Sequence, residues 1–311
     1  MNTIRPYWTL AKREVWEHKS VWIVPIVVGC LLVLFLGGGA LIAAVQHGYV
    51  TVNNTGSVGV DARSGLHIGM LVVASIFNFV MLILVWFYLM DSLYADRKDR
   101  SVLFWRSMPV SDTTMVLSKL FAGMVTAPAC MFVLVVLTEI VLGIIFTIAA
   151  GIVGVNLFHE TFYPGTIILT WIVLAFALIQ QSLWLLPYWG WFLLCSAWAR
   201  KLVIAWAVLI PVGAILIELI VFRTHYLTSA IFGHLGRGVV LLGGYDRHGF
   251  HMQTFNDNAA NGAVFGPSDN AVVTFGSVAH MFVLPEMWIG VGIGIIFILG
   301  AIWLRRHRSE I

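Results

Sequence analysis

The sequence predicts an all-α integral membrane protein with six transmembrane helices. Hydrophobic residues make up 60% of the 311-residue chain and charged residues 11%, whereas a soluble domain carries about 25% charge. The apolar residues also come in long blocks rather than at a core-facing period, as a hydrocarbon solvent demands. Finally, the basic residues segregate to alternate connections between those blocks. A soluble enzyme, a secreted disulfide scaffold and a disordered chain are excluded. Cys30, Cys130 and Cys195 each lie inside an apolar block, with no CxxC pair among them, so they read as small apolar side chains.

The first element, residues 1–20, carries Ile4, Tyr7, Trp8, Ala11 and Val15 at three- and four-residue spacing, with Lys12, Arg13 and Lys19 off that stripe. This is the pattern of an amphipathic helix lying in the membrane surface. The six-span domain follows over residues 21–311. Its spans run from Val21 to Val45, Ile68 to Met90, Leu120 to Ala150, Gly165 to Ala199, Leu202 to Phe222 and Met281 to Leu304. A crossing needs roughly 20 residues at about 1.5 Å each. The fourth block has 35 residues with Pro187 and Gly190 inside it, and reads as one tilted helix kinked or broken near Pro187. The first block is too long for a cleaved signal core, and Glu14 and Glu17 precede it. It is expected to be a retained anchor.

Six spans put both termini on one side. With that side cytoplasmic, 14 of the 18 basic residues fall inside and Arg63, Arg223, Arg237 and Arg247 fall outside, in agreement with the positive-inside rule. The expected location is the cell's inner (plasma) membrane.

The largest cytoplasmic segment, residues 91–119, begins with the charges Asp96, Arg97, Lys98, Asp99 and Arg100. It continues with Val102, Leu103, Phe104, Trp105, Arg106 and Met108, and stops at Pro109, after which Ser111 or Asp112 can cap the third span. A plain turn has no need of Phe104, Trp105 and Met108. The stretch suits a short amphipathic helix, which either plugs a groove on another protein or lies on the lipid surface. On the outer side, residues 223–280 form a 58-residue segment with nine glycines. Its semi-apolar run, Leu227 to Leu242, is too interrupted to span and suits a pair of short helices dipping into the outer leaflet.

No catalytic motif is present. GxxxxGK[ST], HExxH and GxSxG are all absent, so no catalytic residue and no metal site is assigned. His248 and His251 stand three apart with one nearby acid, Asp246, and no cysteine, too few donors for a metal motif, and read as solvated loop histidines. Two acids fall within spans, Glu139 and Glu218. An intramembrane acid is a functional candidate by default; the alternative is that each snorkels to the interface or is paired for structural reasons. Gln180, Gln181 and Asn78 could line a polar substrate path or bond between helices.

The stretch Tyr94-Ala-Asp-Arg-Lys-Asp-Arg-Ser-Val-Leu-Phe-Trp-Arg-Ser-Met-Pro-Val-Ser111, leading to Leu117-Ser-Lys119, resembles the corresponding region of the permease subunit of type-two ATP-binding-cassette (ABC) exporters. The surface helix, six spans and extended outer segment extend that likeness over most of the chain. The resemblance implies that Asp96 through Pro109 hold a coupling helix that docks on an ATPase subunit. It further implies a homodimer of permeases with separately encoded ATPases, which would bind the ATP and Mg; this chain would bind no cofactor and no nucleic acid. The long fourth block and the polar tail of the outer segment depart from the simplest members. Two other readings stay open: a non-transporting membrane anchor for a cytoplasmic partner, and an intramembrane enzyme using Glu139, Glu218 and the outer histidines.

Overall fold

The computed structural model describes residues 19–47, 58–98, 111–162, 164–238, 244–246, 249–251 and 275–307. Six helical stretches in it are long and apolar enough to cross a membrane: Ser20–Gln46, Gly69–Lys98, Asp112–Ile152, Ile167–Trp184, Val203–Phe222 and Pro285–His307. The protein is therefore a multi-pass, all-α membrane protein. Its strands among the described residues are two three-residue pieces, β1 (Gly244–Asp246) and β2 (Gly249–His251), paired antiparallel with Tyr245 opposite Phe250.

The first span is α1 (Ser20–Leu32), a π-helical turn at Val33–Gly37, and α2 (Gly38–His47). The second is α3 (Val58–Lys98), one helix of 41 residues. The third is α4 (Asp112–Phe121), a π turn at Ala122–Thr126, and α5 (Ala127–Ile152). Pro128 stands in the first turn of α5; it has no N–H to return to the preceding turn, which accounts for the wider π register there. A short α6 (Phe158–Thr161) precedes the fourth block.

Spans two and three are longer as helices than their apolar blocks. Asp91 to Lys98 continue α3, and Asp112 to Lys119 begin the next span helically. The charged residues at these ends are consistent with helix: Arg97 and Lys98 fall in the last turn of α3 and Asp112 in the first turn of α4, each matching the helix dipole. The Ser111 hydroxyl accepts from the Thr114 N–H at 3.2 Å and supplies the cap.

The fourth block breaks, as the sequence suggested, into α7 (Pro164–Trp184) and α8 (Leu186–Trp198). Leu185 leaves helical geometry at ψ 4°, two residues before Pro187. Next come α9 (Val203–Ile217), a π turn at Glu218–Phe222, and α10 (Tyr226–Gly238). The last span has its own break: α11 (Phe275–Val283) ends before Leu284, and α12 runs from Pro285 to His307.

The core is built from α3, α5, α7, α8, α11 and α12, with Phe77, Leu89, Trp184, Leu193, Met281 and Met287 fully buried. Helix α8 packs along α12 so closely that a Cβ on Gly190 would stand 2.6 Å from the Gly294 carbonyl oxygen. Only small residues permit that approach. Spans one and five lie at the periphery and present Phe35, Val45, Leu209 and Ile220 outward, as acyl chains in place of water allow.

Candidate functional site

Three polar assemblies stand out against this apolar frame. The first sits where α3 and α12 end and α4 begins. The Asp96 carboxylate is buried and pairs with Lys119 at 3.4 Å and with Arg305 at 3.3 Å. Arg305 also reaches the Asp112 carboxylate at 3.2 Å through Nε. The neighbouring Arg306 donates to the Thr113 hydroxyl at 2.8 Å. One guanidinium thus bridges the residues that flank segment 99–110 on either side. The planar fork of arginine suits this double engagement better than a lysine ammonium would.

Arg97 faces another neighbour. Its guanidinium donates to the carbonyls of Ser196 and, at 2.8 Å, Ala199, which are end groups of α8 with no onward helical partner. The buried Ser196 hydroxyl accepts from the N–H groups of Leu93 and Tyr94 at 3.1 and 3.0 Å. Both Asp96 and Arg97 are therefore engaged within the chain. Lys98 is exposed. Asp99, Arg100, Phe104, Trp105, Arg106, Met108 and Pro109 lie outside the described residues, as does the expected surface helix up to residue 18.

The second is a set of buried polar side chains on three different candidate spans. Glu139 is buried in α5 and accepts from the Trp171 indole N–H at 2.8 Å. Asn78, Gln180 and Gln181 are buried, and their side-chain amides have no hydrogen-bond partner among the described residues. Such a group costs about 1–3 kcal/mol relative to a satisfied one. Glu218 meets the start of α10. Both its oxygens accept from the Leu227 N–H at 3.0 Å, and one accepts from the Thr224 hydroxyl at 3.0 Å. It caps the N-terminus of α10, where free N–H groups favour a carboxylate. Arg223, in the left-handed region at φ 50°, turns the chain back between the two.

The third assembly holds α10 against the two helix breaks. The Trp184 indole N–H donates to the His234 carbonyl at 2.7 Å, and the His234 Nε2 meets the Trp184 carbonyl at 2.9 Å. The two rings stack with centroids 4.9 Å apart. The Tyr188 hydroxyl donates to the Ile231 carbonyl at 2.6 Å, and Arg237 pairs with Glu286 at the start of α12. Desolvation pushes the His234 imidazole below its ordinary pKa; the bond to Trp184 raises it, Arg237 lowers it and Glu286 raises it in smaller measure. The semi-apolar outer run is thus one helix over Tyr226–Gly238, folded back on the bundle; residues 239–243 lie outside the described residues.

In the sequence Lys119, Arg305 and Arg306 stand as markers of orientation, and their pairing is not evident. One signal was available: Asp112, Met115 and Lys119 recur at i, i+3 and i+7, one face of a helix. The Trp184–His234 exchange joins residues 50 apart, and no local pattern announces it.

No protein-family model, curated protein or solved structure matches this chain.

Proposed function

We propose that the chain is the membrane-spanning permease subunit of an ATP-driven ABC exporter. It would work as a homodimer with separately encoded ATPase subunits, in the plasma membrane with both termini cytoplasmic. The observation that carries this reading is the Asp96–Arg305–Asp112 bridge. Segment 99–110, the proposed coupling helix, leaves α3 just after Asp96 and enters α4 just before Asp112. A displacement of that segment by a partner therefore acts on α3, α4 and α12 together. ATP binding draws the ATPases towards each other, the segment transmits the displacement, and the spans reorient about the dimer interface.

In this account Asp96 and Arg97 are the internal fixings of the segment, and Phe104, Trp105 and Met108 are its docking side chains. Asn78, Gln180 and Gln181 supply polar contacts along the substrate route, which explains why a bundle would retain unpaired amides at a cost in stability. Glu139 contributes a carboxyl to the same interior. Glu218 holds α10 and has no part in the route.

The test is the ATPase activity of the purified permease–ATPase complex, comparing wild type with the Phe104→Ala, Trp105→Ala double variant. Loss of the partner or of its stimulation is expected. Unchanged assembly and activity would leave the segment without a coupling role.

A further inference from the structure

We propose that a pocket between α1, α3 and α9 binds drug-sized lipophilic cations. It lies at the same end of the bundle as the ionic bridge, bounded by Ser20 at the start of α1 and by Leu202–Ala205 at the start of α9. Its volume is about 480 Å³, within the roughly 300–1,000 Å³ typical of small-molecule sites.

The lining sets the ligand's chemistry. Asp91 is its one charged residue, and it is exposed with no ion-pair partner among the described residues. Phe87, Tyr88 and Tyr94 add aromatic rings from the same stretch of α3, and Leu84 and Ile204 add aliphatic walls. A carboxylate set among aromatic and aliphatic groups favours a cation with an apolar body. Charge attraction and cation–π contact then act on the same group. An anion would meet Asp91 with no lining cation to offset it. Lys19 and Lys201, next in sequence to Ser20 and Leu202, are exposed and outside the lining. A two-chain phospholipid overruns a pocket of this size.

As a statement about transported substrate, the proposal rests on the exporter reading; as a statement about binding, it is measured without any ATPase, so the two fail separately. The experiment is equilibrium binding of tetraphenylphosphonium to the full chain in detergent, with neutral triphenylphosphine oxide as the uncharged control. Saturable binding is expected, weakened about fivefold or more by Asp91→Asn and largely kept by Asp91→Glu. The neutral control should not distinguish wild type from Asp91→Asn. Ile204→Trp, which fills the pocket from α9 and leaves Asp91 in place, should also block the cation and guards against a folding defect in the first variant. Absence of saturable binding, equal affinity in wild type, Asp91→Asn and Ile204→Trp, or displacement of the probe by phosphatidylethanolamine at comparable concentration would overturn the proposal.

Discussion

Trp184 and His234 exchange hydrogen bonds between ring and backbone: each side chain engages the other residue's carbonyl, at 2.7 and 2.9 Å, while the rings stack. The reason lies in the chain break. Tyr188 N–H, which would serve the Trp184 carbonyl in an unbroken helix, turns instead to Leu185 at 3.0 Å. The His234 imidazole takes its place, which fixes the proton on Nε2, since a carbonyl can only accept. Helix α10 is thus fastened to the helix break itself, where the spans are most easily reshaped.

Removing one half of this exchange tests it. Trp184→Phe keeps an aromatic ring and removes the indole N–H, leaving the His234 carbonyl short of a donor. The expected cost is about 1–3 kcal/mol, read as a lower thermal midpoint in detergent and faster amide exchange in α10. Unchanged exchange in α10 would mean that the helix is held by other contacts.

The same contact makes the outer helix pH-sensitive. The native His234 pKa is lowered, so folding favours the neutral ring. The fastening is complete above the ordinary histidine pKa of about 6.5 and weakens as pH falls through the lowered native value. Proteolytic or hydrogen-exchange protection of α10 should therefore decline on acidification in wild type, and much less in His234→Gln. Equal pH profiles would remove His234 as the cause.

Arg305→Ala removes the one side chain that joins Asp96 to Asp112. Breaking a buried pair from one side costs about 3–5 kcal/mol, because the other charge stays buried. Part of that is spared here, as Lys119 remains beside Asp96. A drop in thermal midpoint is expected, larger for Arg305→Ala than for Arg305→Lys, with Asp96→Asn partly restoring the alanine variant. A midpoint within error of wild type would show the bridge to be inert.

Gly294→Val should disrupt the α8–α12 crossing, since a Cβ there would stand 2.8 Å from the Leu186 carbonyl oxygen. That contact is backbone and cannot swing aside, so the helices must separate. Loss of monodisperse protein on size exclusion is expected; wild-type behaviour and stability would contradict the close crossing.

Gln180→Leu should have the opposite sign for stability. It replaces a buried amide without a partner by an apolar group of similar size, and a gain of about 1 kcal/mol is expected. If the amide belongs to a substrate route, transport should fall as stability rises. A destabilised Gln180→Leu would show that the amide is satisfied in the working protein.

The six spans were legible because hydrocarbon length and charge exclusion act on contiguous sequence, and the break near Pro187 because proline cannot continue the hydrogen-bond ladder. The helical reach of α3 to Lys98 was not, because Asp96 and Arg97 look like solvated loop charges until Lys119, Arg305 and the end of α8 are brought to them. Glu218 shows the same limit. Its carboxylate accepts from the Leu227 N–H and the Thr224 hydroxyl, partners that come into view only once α10 turns back towards it. Polar groups inside a bilayer announce that they need partners, and the partners come from spans distant in sequence.

If the chain is the membrane half of an ATP-driven transporter, the complex extracted in mild detergent should have the mass of two copies of this chain with two chains of a phosphate-loop ATPase. That assembly should be lost when Phe104 and Trp105 are both alanine. A wild-type chain that elutes with no ATPase bound, while remaining folded, would contradict that assignment.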